Sequence, residues 1–202
     1  MNQKERMLAG LPYKAWLDGL EKDRMQCRKK LYEFNLLSPD DRALIPQKLK
    51  ALLGKTGENL LIEAPFYCDY GWNIEVGENF FANYHLTILD VGKVTIGKNV
   101  QIAPNVSIYT AGHPIHPDSR NSGYEYGIPV AIGDNVWIGG NAVIMPGVVI
   151  GSNTVIGAGS VVTKNIPDWS VAAGNPCRVI RQITEEDRPY YFKDRLFDVD
   201  DF

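Results

Sequence analysis

Between residues 130 and 167 the aliphatic positions recur every six residues. Ile132, Ile138, Ile144, Ile150, Ile156 and Val162 each open a group of six, and Val136, Ala142, Val148, Thr154, Ser160 and Ile166 follow four places later. A period of six fits neither the 2.0 of an amphipathic strand nor the 3.6 of a helix. It marks a parallel β-helix, in which each six makes one short flat strand and a corner, and three sixes close a triangular coil. The register runs backwards through Ile108, Ile102 and Ile96, with Val106 and Val100 in the fourth-place positions, and on through Ile88, Ala82, Val76 and Tyr70. Eight residues separate Ile88 from Ile96, which predicts a two-residue bulge at 90–93. Residues 109–129 break the pattern with His, Pro, Asn, Gly and Ser. They are read as a loop thrown out of the coil.

Residues 1–57 are rich in Lys, Arg, Glu, Leu and Met and poor in β-branched residues. Leu17, Leu20, Arg24, Cys27, Leu31 and Phe34 fall at threes and fours, which predicts an amphipathic helix. Ser38-Pro39-Asp40-Asp41 reads as a cap and acidic first turn of a second helix through Leu44, Leu49 and Leu52, with Pro46 delaying its start. The end coil of a β-helix exposes apolar surface and unpaired strand edges. Residues 1–57 are therefore expected to cap it, with a share in substrate binding left open. The coil is placed at 58–181, the loop 109–129 excluded. Its Gly and Asn residues (Gly77, Asn79, Gly97, Asn99, Gly133, Asn135, Gly151, Asn153) mark corners that can require positive φ. The tail, 182–202, opens with the helix-start signal Thr184-Glu185-Glu186-Asp187. A short helical tail is expected, with Tyr190, Tyr191 and Phe192 packed on a coil face and 198–201 loose. The fold class is mainly β.

The 202 residues carry a net charge of −3, which gives no pointer to nucleic acid or to an anionic membrane surface. No run of about 18 apolar residues offers a membrane span. The first ten residues lack the apolar stretch of a signal peptide. Cys27, Cys68 and Cys177 are widely spaced, odd in number and outside any CxxC pair. That suits reduced thiols and a cytoplasmic location better than a disulfide framework or a cysteine zinc site.

Candidate chemistry concentrates in the loop Tyr109-Thr110-Ala111-Gly112-His113-Pro114-Ile115-His116-Pro117, which holds two of the three histidines; His85 is the third. An imidazole exchanges a proton near neutrality. A long loop on a rigid scaffold is a common place for function, and Gly112 and Pro114 would hold the backbone beside His113 in a defined path.

These residues resemble a known family. The sixes, the loop above, Arg120-Asn121-Ser122-Gly123, Asn135-Val136-Trp137-Ile138-Gly139 and Gly174-Asn175-Pro176-Cys177-Arg178-Val179-Ile180 are similar to the maltose and galactoside O-acetyltransferases. The resemblance covers nearly the whole chain. It implies a left-handed parallel β-helix, a hand that spacing alone does not give. It implies a homotrimer with active sites between subunits, acetyl-CoA as donor, a sugar hydroxyl as acceptor and no required metal. His113 matches the catalytic histidine, a general base for direct transfer without an acyl-enzyme. Asp69, Asn83 and Asp90 match sugar contacts, with Asp90 expected to point out of the coil from its bulge; Asn83 is also a candidate oxyanion donor. Gly140, Ala158, Thr163, Lys164, Arg178 and Arg181 match CoA contacts, the small residues along the pantetheine arm and the cations at the phosphates. Trp137 either lines the site or packs at a subunit contact. The family's N-terminal acidic sugar contact aligns near Ala15, where Asp18 and Glu21 are the nearest acids.

Two rival readings stay open. Zinc carbonic anhydrases on the same fold use three histidines across a subunit interface, and this chain has three. Here, however, His113 and His116 share one Pro-bracketed loop, and the Gly-Asn-Pro-Cys-Arg ending has no role in that chemistry. A non-catalytic β-helix serving as an assembly subunit would give His113 no task.

Overall fold

The structure, a computed structural model, describes residues 1–199. Residues 200 and 201, part of the stretch expected to be loose, lie outside the described residues. Three parallel sheets form the walls of a triangular prism. The first contains Lys55–Thr56, Ile74–Val76, Val94–Ile96, Val130–Ile132 and Val149–Ile150. The second runs from Leu61–Ile62 through Phe81–Ala82, Gln101–Ile102, Trp137–Ile138 and Val155–Ile156 to Ser170–Ala173, where Arg178–Gln182 closes it antiparallel. The third contains Phe66–Cys68, Leu86–Leu89, Ser107–Tyr109, Val143–Ile144 and Val161–Val162. The six-residue register is the pairing register: Ile132 lies between Ile96 and Ile150, Ile138 between Ile102 and Ile156, and Ile144 between Ile108 and Val162. These side chains are buried in one continuous core, where each contributes roughly 1.5–3 kcal/mol. The fourth-place residues Val136, Ala142, Val148, Thr154, Ser160 and Ile166 turn inward at the corners and are buried too.

The three edges of the prism differ. Between the first and second sheets the corner is a Gly-x-Asn turn in coil after coil, its asparagine left-handed at φ 55 to 57° (Asn59, Asn79, Asn99, Asn135, Asn153). A short polar side chain tolerates this region better than a β-branched one. The stacked carboxamides donate to each other, Nδ2 to Oδ1, at 2.9, 2.9, 2.8 and 2.7 Å. Between the second and third sheets the left-handed position is taken in turn by His85, Asn105, Asn141 and Gly159. Between the third and first sheets the corners vary in length. Cys68 is the residue that stacks on Ile88. Tyr70 is therefore displaced from the ladder in which the sixfold spacing put it, and the two-residue excess near 90–93 has a twin at 69–73. The loop 109–129 leaves at this same edge.

The helical region splits into two tasks. Helix α1 (Gln3–Leu8) carries a capping box between Asn2 and Glu5. Helix α2 (Leu20–Asn35) and helix α3 (Ile45–Leu52) close the open end of the prism with Cys27, Leu31, Phe34, Ile45, Leu49 and Leu52. Leu17, placed on the first helix by its spacing, lies before α2 and is exposed. Ser38 caps a 3-10 segment, Pro39–Leu44, so the delay expected from Pro46 takes the form of a tighter turn ahead of α3. A second apolar cluster, Met7, Tyr13, Ala15, Leu20, Tyr70 and Val91, lies apart from the coil core. It ties residues 7–20 to the irregular edge.

At the other end the helix-start signal yields one 3-10 turn, Glu185–Asp187, with a capping box from Thr184. The expected helical tail continues instead as a hairpin, Tyr190–Phe192 with Arg195–Leu196. Tyr190, Tyr191 and Phe192 help line a cleft of about 460 Å³ with Trp137, Val155 and Val171 of the second sheet, yet remain half exposed. Among the described residues no helix is long and apolar enough to cross a membrane.

Candidate active site

Loop 109–129 is a hairpin stem with a helical tip. Ala111–Gly112 pairs antiparallel with Tyr126–Gly127. Helix α4 (Pro117–Asn121) forms the tip, and the His116 ring accepts from Asp118 N–H as its N-cap. Arg120 ties down the bend by donating to the carbonyl of Ile115 at 2.9 Å. Gly112 earns its place through close approach: a Cβ there would meet the Tyr126 ring at 2.6 Å. His113 leaves the stem directly opposite Glu125. The imidazole is 57% exposed and its Nε2 stands 4.0 Å from Glu125 Oε2, whose side chain is 20% exposed.

The partner of Glu125 comes from the other end of the chain. Tyr13 and Glu125 exchange both backbone hydrogen bonds, at 2.9 and 3.0 Å. The Tyr13 hydroxyl donates to Glu125 Oε1 at 2.5 Å. Tyr13 is wholly buried, and burial together with the facing carboxylate pushes its ionisation far above the ordinary phenol range. It therefore acts as a donor. Tyr70, also buried, is pushed up to about 12 by burial, against the pull of Arg24, whose guanidinium donates to its hydroxyl at 3.2 Å.

Asp90 does not point out of the coil. It is fully buried, and its carboxylate accepts from the backbone N–H groups of Asp69, Tyr70 and Gly71 at 2.8, 2.9 and 2.7 Å. Burial raises its pKa to about 6 against the opposing pull of those donors. The bulge exists to close this corner, so Asp90 shapes the backbone under Asp69 and offers no exposed oxygen. Asp69 itself is half-buried, its acidity weakened by burial and partly restored by Arg24.

The site residues expected from sequence fall on two different edges of one chain. Asp69, Asp90 and His113 belong to the edge between the third and first sheets. Asn83 lies on the edge between the second and third, where its carboxamide oxygen accepts from Tyr84 N–H at 2.8 Å. Gly140 and Ala158 lie lower on that same edge in adjacent coils, joined through Gly159 N–H to Gly140 C=O at 2.8 Å. Thr163 and Lys164 are exposed just past the last strand of the third sheet. Arg178 is exposed on the closing strand, one of its N–H groups donating to Cys177 C=O. Arg181 holds Asp187 in a two-pronged pair at 2.8 and 2.8 Å, so its fork is already engaged. Clefts of about 820 and 460 Å³ lie around Arg181 and the tail, and neither includes His113 or Glu125. The three histidines are dispersed: His85 in a corner, His113 against Glu125, His116 as a cap. Among the described residues no cluster of three or more His, Cys, Asp or Glu is placed to hold a metal ion.

Comparison with known proteins places this geometry. Residues 6–57 match the maltose acetyltransferase hexapeptide capping motif, and residues 129–164 match the bacterial transferase hexapeptide, six repeats. The galactoside O-acetyltransferase of Escherichia coli (strain K12) is 49% identical over 194 residues, 96% of either chain. The chain belongs to the maltose and galactoside O-acetyltransferase family. Among solved structures, a galactoside acetyltransferase in complex with coenzyme A superposes with a TM-score of 0.95 at 48% identity, covering 98% of this chain and 100% of that one. A maltose O-acetyltransferase from Clostridium difficile 630 gives 0.90 at 55%, covering 92% and 99%. As a member of this family the protein is an acyltransferase built on hexapeptide repeats.

Two residues that the structure brings to His113 in this acetyltransferase escape a reading of its sequence. Glu125 sits between Tyr124 and Tyr126 in the excluded loop, and only the hairpin pairing turns it toward His113. Tyr13 reaches it across 112 residues of chain. A polar residue flanked by aromatics in a loop that interrupts a strict repeat was the one available signal. The departure at Ala15 also finds a structural setting: Ala15 is buried in the second cluster, and Asp18 Oδ2 accepts from Gln3 N–H at 2.7 Å.

Proposed function

We propose that the protein moves an acetyl group from acetyl-CoA to a sugar hydroxyl by direct transfer, in a homotrimer whose sites lie between copies. The observation that carries this reading is the imidazole of His113 held on a paired hairpin stem opposite the carboxylate of Glu125. As general base, His113 draws the proton from the acceptor hydroxyl while its oxygen attacks the thioester carbon. The new C–O bond leaves a tetrahedral oxyanion. Glu125 offsets the positive charge that forms on the imidazole. The 4.0 Å separation is longer than a hydrogen bond, as resting catalytic pairs often are. Collapse breaks the C–S bond, and His113 returns the proton to the departing sulfur. No acyl-enzyme is formed, and the buried thiols Cys27, Cys68 and Cys177 take no part.

Asn83 suits the oxyanion. Its carbonyl oxygen is committed to Tyr84 N–H, so the carboxamide has its NH₂ donors to offer a ligand. Because Asn83 and His113 occupy different edges, one chain does not bring them together around a single small substrate. Two edges from neighbouring copies do, and closed cyclic symmetry repeats the site three times. The donor arm would then run along the edge of Asn83, past Gly140 and Ala158, with Thr163, Lys164 and Arg178 toward its phosphates. Asp69 faces the acceptor, on a backbone shaped by Asp90. Arg181 contributes to the phosphates only by releasing Asp187. A cytoplasmic location fits a donor made inside cells.

The test is release of free CoA from acetyl-CoA against a panel of glucose, maltose, galactose, lactose and alkyl galactosides, with His113→Ala as control. At least one sugar should accelerate release in the parent and none in the variant. Sugar-independent release, or full activity in the variant, would contradict the reading.

A further inference from the structure

The capping region does more than close the prism. Residues 13–16 lie along the hairpin that carries His113: Tyr13 pairs with Glu125 through the backbone, and the Trp16 ring packs where a Cβ on Gly123 would stand, 2.4 Å from its Cη2. Lys14 sits 5.0 Å above the Tyr124 ring. Of these contacts, one reaches the reacting centre at a single remove. Tyr13 Oη donates to Oε1 of Glu125 at 2.5 Å, and the other oxygen of that carboxylate is the one that faces His113.

We propose that Tyr13 is a positioning residue for the transfer reaction: it fixes the rotamer of Glu125, so that the carboxylate stands ready beside the base before substrate arrives. The inference rests on the reading of His113 as base given above. Its logic is geometric. A glutamate side chain has three rotatable bonds, and holding it in one geometry from an exposed loop costs conformational entropy. A buried phenol that is itself immobile can hold one oxygen and thereby aim the other. Tyr13 meets this requirement, because its ring is wholly buried among Met7, Leu20, Tyr70 and Val91. The charged or titratable groups around the pair are His113, Tyr70, Asp69 and Arg24, and Arg24 is already committed to Tyr70. The Tyr13 hydroxyl is thus the hydrogen-bond donor that the core side supplies to Glu125. On this view the 1–57 region belongs to the catalytic apparatus without touching substrate.

The test compares Tyr13→Phe, Glu125→Gln and His113→Ala in steady-state kinetics with acetyl-CoA and maltose, or the panel sugar giving the fastest CoA release, between pH 5.5 and 9. Tyr13→Phe keeps the ring, so thermal unfolding should stay close to the parent. Its kcat should fall roughly five- to tenfold, a fraction of the ~10²–10⁴-fold that a positioned base contributes. Its KM for acetyl-CoA should stay within about twofold, and the acid-side limb of its kcat/KM profile should move in the same direction as that of Glu125→Gln. A loss of stability alone would lower the active fraction without moving that limb. If Glu125→Gln shifts the profile and Tyr13→Phe superimposes on the parent, the inference is wrong while the base assignment stands. If Glu125→Gln also behaves as the parent, the carboxylate has no part and the inference falls. His113→Ala with parental turnover would remove the underlying reading as well.

Discussion

Two edges of the prism are built by opposite rules. At the edge between the first and second sheets five successive corners are the same Gly-x-Asn turn before the last, Pro167-Asp168-Trp169, departs from it, and the five carboxamides stack in an unbroken hydrogen-bonded column. At the edge between the third and first sheets no rule holds. The corners differ in length, one buried aspartate closes a corner, and a hairpin loop leaves the coil with His113 and Glu125 on it. Uniform corners let each coil repeat the hydrogen bonds of the one before, which suits stability. Irregular corners give up that repetition and free side chains to meet groups from distant parts of the chain. The contrast teaches where distant parts of the chain meet in such a repeat: at the corners where the period fails, as Tyr13 and Glu125 do.

Variants can break this division of labour. The largest effect belongs to the irregular edge. His113→Ala should cut turnover by a factor of order 10² or more while leaving the unfolding midpoint unchanged, as read by CoA release and by circular dichroism on heating. An equal loss of stability would mean that the loop serves the fold.

Asp90 comes next, through the pH dependence of stability. Its carboxyl titrates near its ordinary value of 3.8 when unfolded and is pushed up to about 6 by burial when folded. Between those values the folded chain keeps a proton that the unfolded chain has released. Its contribution is therefore fully present below pH 3.8 and is lost as pH rises through 6, on the order of 2–3 kcal/mol in all. Asp90→Asn has no such slope. Denaturant titrations should find the parent's stability, relative to that variant, higher at pH 4 than at pH 7. A constant difference would show that the three backbone donors keep Asp90 ionised throughout.

The regular edge should answer in stability alone. Asn99→Ala puts a Cβ-bearing residue without a polar side chain at φ 55° and removes two rungs of the carboxamide column. A loss of about 1–2 kcal/mol is expected, with kcat unchanged. A fall in kcat beyond the unfolded fraction would blur the distinction between the edges. The smallest effect is that of Arg178→Ala, a several-fold rise in the KM for acetyl-CoA, equivalent to about 1 kcal/mol, with kcat preserved. An unaltered KM would remove Arg178 from the donor site.

How far the sequence could be read follows the same contrast. The ladders through Ile132, Ile138 and Ile144 were legible because a strict period leaves one register that buries every aliphatic residue. Tyr70 was misplaced because the period had already failed there: Cys68 takes the rung, and the corner behind it is two residues too long. Asp90 read as an outward bulge because its three partners are backbone N–H groups, which leave no trace in residue identity. In the tail, Thr184 to Asp187 does begin a helical turn, but the following aromatics pair as a hairpin against the second sheet. His113 stood out from its Pro-bracketed loop, whereas Glu125 and Tyr13 are matched only by tertiary pairing across 112 residues.

The most direct measurement mixes two inactive proteins. His113→Ala and Asn83→Ala are unfolded together in equal amounts, refolded as mixed trimers and assayed for CoA release. If each site takes His113 from one copy and Asn83 from its neighbour, random cyclic assembly should restore about a quarter of the parental activity. Activity no greater than the sum of the separate variants would mean that a single chain houses the whole site, and the placement of the chemistry between two edges would be wrong.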